Sequence, residues 1–336
     1  MEYYELLFRI IILPILALGF GILFGLTFKG IDRKLAAHMQ ARVGPPIRQP
    51  FRDVAKLFTK ENIIPENSIS WLFSAMPILC LVSAVSVLLY TPIGGFEPVL
   101  SGYGDLIVVL YLLALPPVCL VIGGFASGSP YATVGAQREM VMMMSYEFPL
   151  AVAIISVVWK LSIVYPGENV FSLWFIMSHP VWNTVGGLGF IGCAIILFVL
   201  CAVMPITLAK IPFDIPEAET EIAGGLLVEY SGKNLGLFYL ADAVKTVAFA
   251  SVVVALFFPY GIACYFDVST TGGYVIDFIF FLVKLFIIIF IGLTFIRVAV
   301  ARIKIDQVAH IYWMLMTIIG LVGLALIMID SMGVIA

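Results

Sequence analysis

The chain has 336 residues, of which 62% are hydrophobic and 12% charged, with a mean hydropathy of +1.12. That is about half the charge of an ordinary soluble domain, so water is not the main solvent and a soluble enzyme is excluded. A net charge of -3 without any Lys/Arg-rich arm also excludes nucleic acid as a partner. The five cysteines, Cys80, Cys119, Cys193, Cys201 and Cys264, lie singly in or beside apolar stretches with no C-x-x-C pair. This chain alone therefore builds no zinc site and no iron–sulfur cluster.

A bilayer core of about 30 Å needs about 20 apolar residues in helix, because a helix satisfies its own backbone hydrogen bonds there. In chain order this predicts spans at Ile10–Phe28, Ser70–Thr91, Leu106–Phe125, Phe148–Tyr165, Val185–Ala209, Leu235–Phe258, Tyr274–Ile296 and Ile311–Ile329. The first is read as a retained span, since Glu2 and Glu5 precede it and a basic loop without a small-residue cleavage site follows. The expected fold is all-α: one polytopic transmembrane domain of eight helices over residues 1–336, with cytoplasmic loops at about 29–69, 126–147, 210–234 and 297–310.

Lysine and arginine set the orientation. The first loop carries eight, the third has Arg138, the fifth has Lys210 and Lys233, and the seventh has Arg297, Arg302 and Lys304, against only Arg9 and Lys160 on the other side. The positive-inside bias makes the odd-numbered loops cytoplasmic and leaves both termini outside. An odd number of spans would break this alternation.

Within the first loop, Gln49–Lys60 puts Phe51, Val54, Leu57 and Phe58 on one helical face and Arg52, Asp53, Lys56 and Lys60 on the others. Entered through Pro50, it reads as an amphipathic helix that rests on the headgroups or walls a cavity between membrane and cytoplasmic partner.

Between spans five and six, Asp214, Glu217, Glu219, Glu221 and Glu229 place five carboxylates within 16 residues. Pro216 suits a first helical position, which would set Glu217 and Glu219 at a helix N-terminus. That accounts for two of the five. Carboxylates crowded beside a low-dielectric region have raised, coupled pKa values, as a proton relay requires.

Inside the spans, Asp242 and Lys245 are three residues apart and can neutralise each other. Asp277 and Lys284 share a face across about 10 Å of rise and cannot pair unaided. Charges at membrane depth by default mark an ion or proton path, and Glu147, with Arg138 and Glu139 just before it, extends the set to the cytoplasmic side. Gly186-Gly187-Leu188-Gly189 lacks the strand of a dinucleotide site, His38, His179 and His310 are scattered, and Met140 to Met144 point all round a helix.

Four segments together resemble a known family. They are Asp32-Arg-Lys with Gln40-Ala-Arg-Val-Gly-Pro-Pro46 running into the Gln49 helix; Gly135-Ala-Gln-Arg-Glu-Met with Ser145-Tyr-Glu-Phe-Pro149; Pro212-Phe-Asp-Ile-Pro-Glu-Ala-Glu-Thr-Glu221 with Glu229-Tyr-Ser-Gly232; and Arg297 through Arg302 to Asp306-Gln307. The resemblance is to the quinone-site membrane subunit of respiratory complex I and its relatives in membrane-bound, energy-converting nickel–iron hydrogenases. It covers essentially the whole chain. One departure separates branches: Gly44-Pro-Pro-Ile-Arg-Gln-Pro50 lacks the second Arg/Gly/Pro-rich turn usual in quinone-reducing members. The compact form looks like the hydrogenase branch and related sulfur-reducing complexes.

The resemblance implies a membrane anchor and coupling subunit that binds no cofactor itself and is not catalytic alone. Iron–sulfur clusters, and a nickel–iron site in the hydrogenase branch, would lie in peripheral partner subunits on the cytoplasmic face, with antiporter-like membrane subunits alongside in the cell's inner membrane. It implies that Glu147, Asp214, Glu217, Glu219, Glu221 and Glu229 belong to the acidic path. Arg33, Arg42, Arg48 and the helix bearing Phe51, Arg52 and Lys56 would meet the redox module. Protons or sodium would move along that path with Asp242, Lys245, Asp277 and Lys284. The alternatives are the quinone-binding subunit of a quinone reductase, which needs an apolar slot beneath the Gln49–Lys60 helix, and a stand-alone secondary transporter, against which the lack of an internal repeat stands.

Overall fold

The computed structural model describes residues 11–102, 104–263 and 270–335. Among them, eight helices are long and apolar enough to cross a membrane. They are α1 (Leu13–Met39), α3 (Ser70–Tyr90), α4 (Leu106–Ala126), α5 (Pro130–Val164), α6 (Gly187–Thr207), α7 (Gly232–Phe257), α8 (Gly272–Ala299) and α9 (Ile305–Met332). The amphipathic helix α2 (Gln49–Thr59) forms between the first two, with Pro50 in its opening turn. Glu2, Glu5, Arg9 and Cys264 lie outside the described residues.

The helices outrun the hydropathy windows. α1 continues to Met39, so residues 29–39, expected in a loop, are helical. The stretch expected as a loop at 126–147 is helix from Pro130 onward, and α5 runs 35 residues, about 50 Å. α7 starts at Gly232, and only residues 300–304 separate α8 from α9. A hydropathy window penalises Arg138 and Glu139, but a helix continues wherever such side chains find partners or solvent.

α7 is the axis. Within its most apolar window 94% of residues are buried, and it packs against α1, α2, α3 and α8. Glycines permit the tightest approach: a Cβ on Gly25 of α1 would lie 2.5 Å from the Ala243 carbonyl oxygen of α7. Small residues at such contacts let backbones dispersion-pack where lipid offers no hydrophobic drive. The second group is α5, α6 and α9, which pack mutually.

Two buried ion pairs tie helices together. Asp32 of α1 accepts from Thr294 Oγ1 at 2.8 Å and Arg297 Nη1 at 2.7 Å, where α8 passes through a π turn at Phe290–Phe295. Lys160 of α5 donates to Asp330 of α9 at 2.7 Å and to Ser331 at 3.2 Å, and Asp330 also accepts from the Gly186 N–H before α6. Lys160, counted with the charges of the outer side although it falls inside the predicted Phe148–Tyr165 span, is 1% exposed and belongs to the bundle. A carboxylate at the start of α6 and an internal counter-ion explain why both charges are tolerated at that depth.

Removing one partner strands the other's charge. Lys160→Met alone should lower stability by about 3–5 kcal/mol, while Lys160→Met combined with Asp330→Leu should cost much less. A double-mutant cycle on denaturation midpoints of the purified protein checks this; equal losses in single and double variants would refute it.

Candidate functional site

The 208–231 segment folds back on the basic-loop end of the bundle. A single turn at Ile215–Glu217 contains Pro216, and a four-residue helix follows at Glu219–Ile222. Glu217 thus sits at the end of one short turn and Glu219 at the start of another, rather than both at the head of one long helix. Gly225 adopts φ +52°, and a Cβ there would lie 2.0 Å from the Pro216 carbonyl oxygen, so both the backbone and the space require glycine. Arginines from flanking elements anchor the segment. Arg138 of α5 pairs with Glu221 at 2.6 Å and donates to the Ile215 carbonyl at 3.3 Å. Arg302 pairs with Asp214 at 2.6 Å.

Beneath the segment, Asp242 of α7 is gripped from two sides. The same oxygen, Oδ2, lies 2.5 Å from Lys29 Nζ of α1 and 2.6 Å from Lys210 Nζ. Lys29 also donates to the Tyr239 carbonyl at 3.1 Å. The direct Asp242–Lys245 pair that the spacing allowed does not form: Lys245, one turn further along α7, donates to the Thr207 carbonyl at the end of α6. Two ammoniums displace a neighbour on the same helix because they approach from other elements with free geometry.

A cavity of about 50 Å³ connects these groups, lined by Glu139, Lys210, Glu217, Tyr239, Asp242 and Lys245 among others. It has room for a few water molecules. Glu139 of α5 is 2% exposed, and its Oε2 has no hydrogen-bond partner among the described residues. Loss of water around Glu217 pushes its carboxyl above the ordinary glutamate range; Lys210 opposes this and Asp242 adds to it. Lys210 is disfavoured by burial, but Asp242 and Glu217 outweigh that and hold its pKa above normal. The arrangement can store a proton: neutral Glu217 leaves the two-lysine, one-aspartate cluster with excess positive charge, and ionised Glu217 balances it.

The other expected residues distribute unevenly. Glu219 and Glu221 are exposed, while Glu147 and Glu229 are half-buried and do not line this cavity. Asp277 and Lys284 lie at the opposite end of α7. Asp277 accepts from the Ile262 and Ala263 N–H groups at 2.8 and 2.9 Å, and Lys284 donates to the Phe258 and Tyr260 carbonyls at 2.8 and 2.9 Å. They flank a separate cavity of about 90 Å³. At the basic end, Arg42, Arg48, Arg52 and Lys56 are exposed and Phe51 is half-buried, while Arg33 pairs with Asp53 at 3.0 Å. Lys29 and Lys210 are not among the expected path residues, whereas Glu139, expected at the cytoplasmic end of the charged set, does line the cavity. Both lysines border apolar spans, so the rule that singles out Asp242 applies to each of them.

A family model described as NADH dehydrogenase matches residues 11–328. The chain belongs to this family. It is a membrane subunit of the complex I-like and membrane-bound hydrogenase-like type, and its relatives are subunits of multisubunit membrane complexes. It is 34% identical over 236 residues to hydrogenase-4 component C of Escherichia coli (strain K12), covering 70% of this chain and 71% of that one. It is 32% identical over 302 residues to the H-type subunit of the NADH-quinone oxidoreductase of Carboxydothermus hydrogenoformans, covering 84% and 77%. A chain of the membrane-bound sulfane sulfur reductase, an archaeal respiratory membrane complex, matches in structure with a TM-score of 0.78 at 30% identity, covering 94% of this chain and 98% of that chain.

The raised Glu217 pKa has a defined sign in stability. A carboxyl whose folded value exceeds its unfolded value is favourable while protonated, so stability falls as pH rises from the ordinary glutamate value, about 4.3, through the raised one. Glu217→Gln should remove that decline, seen as a flatter thermal midpoint against pH in that window; an unchanged slope would refute the assignment.

Proposed function

We propose that this chain couples electron transfer in peripheral iron–sulfur subunits to proton or sodium movement through the membrane, as the anchor subunit of a hydrogenase-like or sulfur-reducing respiratory complex. The observation that carries this reading is the charged cavity joining the 208–231 segment to Asp242, itself paired with Lys29, and to Lys245. A change of charge or position in a redox partner seated on the basic end would act first on the acidic segment, through Glu219, Glu221 and Glu229. Arg138 and Arg302 hold that segment by single carboxylate contacts that can be exchanged. A proton taken up at Glu217 removes the carboxylate that competes with Asp242 for Lys210 and leaves the cluster with one excess positive charge, which is compensated deeper, at Lys245 and Glu139. Glu147, further along α5, and the Asp277–Lys284 region at the far end of α7 continue the path.

The compact Gly44–Pro50 turn and the likeness to hydrogenase-4 component C and to the sulfane sulfur reductase chain support the hydrogenase-like branch over the quinone-reducing one. In this reading the basic end faces the cytoplasm, where Arg33, Arg42, Arg48 and the Arg52 face of α2, which does not line the groove beside it, meet the iron–sulfur and hydrogenase-like subunits; both termini lie outside the inner membrane, and antiporter-like subunits flank the bundle. Cofactors are supplied by the partners. A specific observation favours a second reading, a quinone-reducing role: a groove of about 250 Å³ runs between α2 and the ends of α1 and α7, and an NADH-quinone oxidoreductase chain is among the relatives.

Asp242→Asn and Glu217→Gln, introduced into the intact complex in membrane vesicles, should abolish or strongly reduce ion pumping while electron transfer continues. Normal pumping in both variants would sink the coupling role. Nickel with iron in the co-purified partners identifies the hydrogenase branch, whereas activity that requires added quinone selects the second reading.

A further inference from the structure

We infer that the groove between α1, α2 and α7 is a binding site for an anionic phospholipid, with its phosphodiester at Lys56 and Lys60 and an acyl chain along Leu26, Val54, Leu57 and Leu235. The groove is two-faced. Its apolar wall continues the small cluster in which Leu26, Leu240 and Ala243 meet Phe51 and Val54, the contact that seats α2 on the spans. Its polar rim is strongly cationic, with Lys29, Arg33, Lys56 and Lys60 against the single carboxylate of Asp53.

The existing pairings show which charges are left over. Lys29 is engaged by Asp242 and Arg33 by Asp53. Lys56 and Lys60 hold no ion pair among the described residues, and both are exposed. They stand one helical turn apart, where like charges repel. An anion between them relieves that repulsion, which a neutral ring cannot do. The location selects a lipid over an acidic protein segment, because Leu26 and Leu235 belong to membrane-spanning helices and the chain's basic residues gather at this end. Tyr239, 41% exposed, lines both this groove and the charged cavity, so the groove gives access to the axis of the bundle from its surface. A lipid in place would seal that opening and press α2 onto α1 and α7.

The test uses the complex purified through a tag on this chain. Native mass spectrometry after mild delipidation should find an anionic phospholipid retained; retention of a neutral lipid only, or of none, overturns the inference. Titrating the delipidated complex with phosphatidylglycerol should raise its thermal midpoint, and phosphatidylcholine should not. The combined Lys56→Gln and Lys60→Gln variant should weaken the phosphatidylglycerol response roughly thirtyfold, as expected for two lysine contacts, and Lys56→Arg with Lys60→Arg should restore it. Equal responses to the two lipids, an unchanged response in the glutamine variant, or stabilisation by a short-chain quinone analogue but not by phosphatidylglycerol would each overturn it.

Discussion

A bilayer offers no solvent to a charge, so Asp242, on the most buried helix of the bundle, must find its counter-charges within the protein. It finds two. Lys29 comes from α1 and Lys210 from the segment after α6, and both close on one carboxylate oxygen. This three-way contact fixes where the 208–231 segment can lie, because Lys210 is its first anchor to the axis. It also fixes the cavity beneath, whose walls are the groups that Asp242 has drawn together. The arginine ties at Glu221 and Asp214 then hold the rest of the segment flat against α5 and the start of the α8–α9 connection.

Such a cluster is weak evidence for stability, since desolvating three charges costs much of what their attraction returns. Its value lies in being poised. The pair at Lys160 and Asp330 is closed by a serine and a backbone N–H, which fill the remaining hydrogen-bonding positions. Around Asp242, by contrast, there is space beside the charges, a buried Glu139 with an unmatched oxygen, and a Glu217 whose carboxyl resists ionisation. Equal chemistry, a lysine on an aspartate, thus makes a closed, fully partnered pair in one place and an open cluster with unmatched neighbours in the other. Room for water and the number of competing partners make the difference.

The eight spans and α2 are legible in the sequence, because length, hydropathy and the face of Phe51, Val54 and Leu57 depend only on local spacing. The helix ends are not. α5 begins 18 residues before the predicted Phe148, as a hydropathy window cannot know that Arg138 will find Glu221 and the Ile215 carbonyl. Pairing across the chain is equally hidden. Depth marks Asp242, yet spacing points to Lys245, and the true partners lie 213 and 32 residues away in sequence. Asp330 carries the same signal as Asp242, a carboxylate at the end of an apolar span, but its partner Lys160 is 170 residues distant, in the fourth predicted span, and nothing in local spacing joins them.

The two ends of α7 show how one helix can serve both anchoring and relay. At its far end Lys284 binds the carbonyls of Phe258 and Tyr260, just past the helix terminus, where the dipole favours a cation, and Asp277 binds N–H groups of the same turn. Those charges meet the backbone, whose dipoles cannot titrate. At the near end the charges meet other side chains that can. In the proposed role a proton arriving among Glu217, Lys210 and Asp242 would change the balance of forces on α7 directly, whereas Asp277 and Lys284 would feel it through α7 and the turn beyond it. In the proposed coupling role the helix itself would link the two, since α7 is nearly all buried and held by glycine-close contacts such as Gly25 on Ala243. A rigid, tightly packed axis of this kind would carry a local electrostatic change at one end to the charges at the other as a displacement.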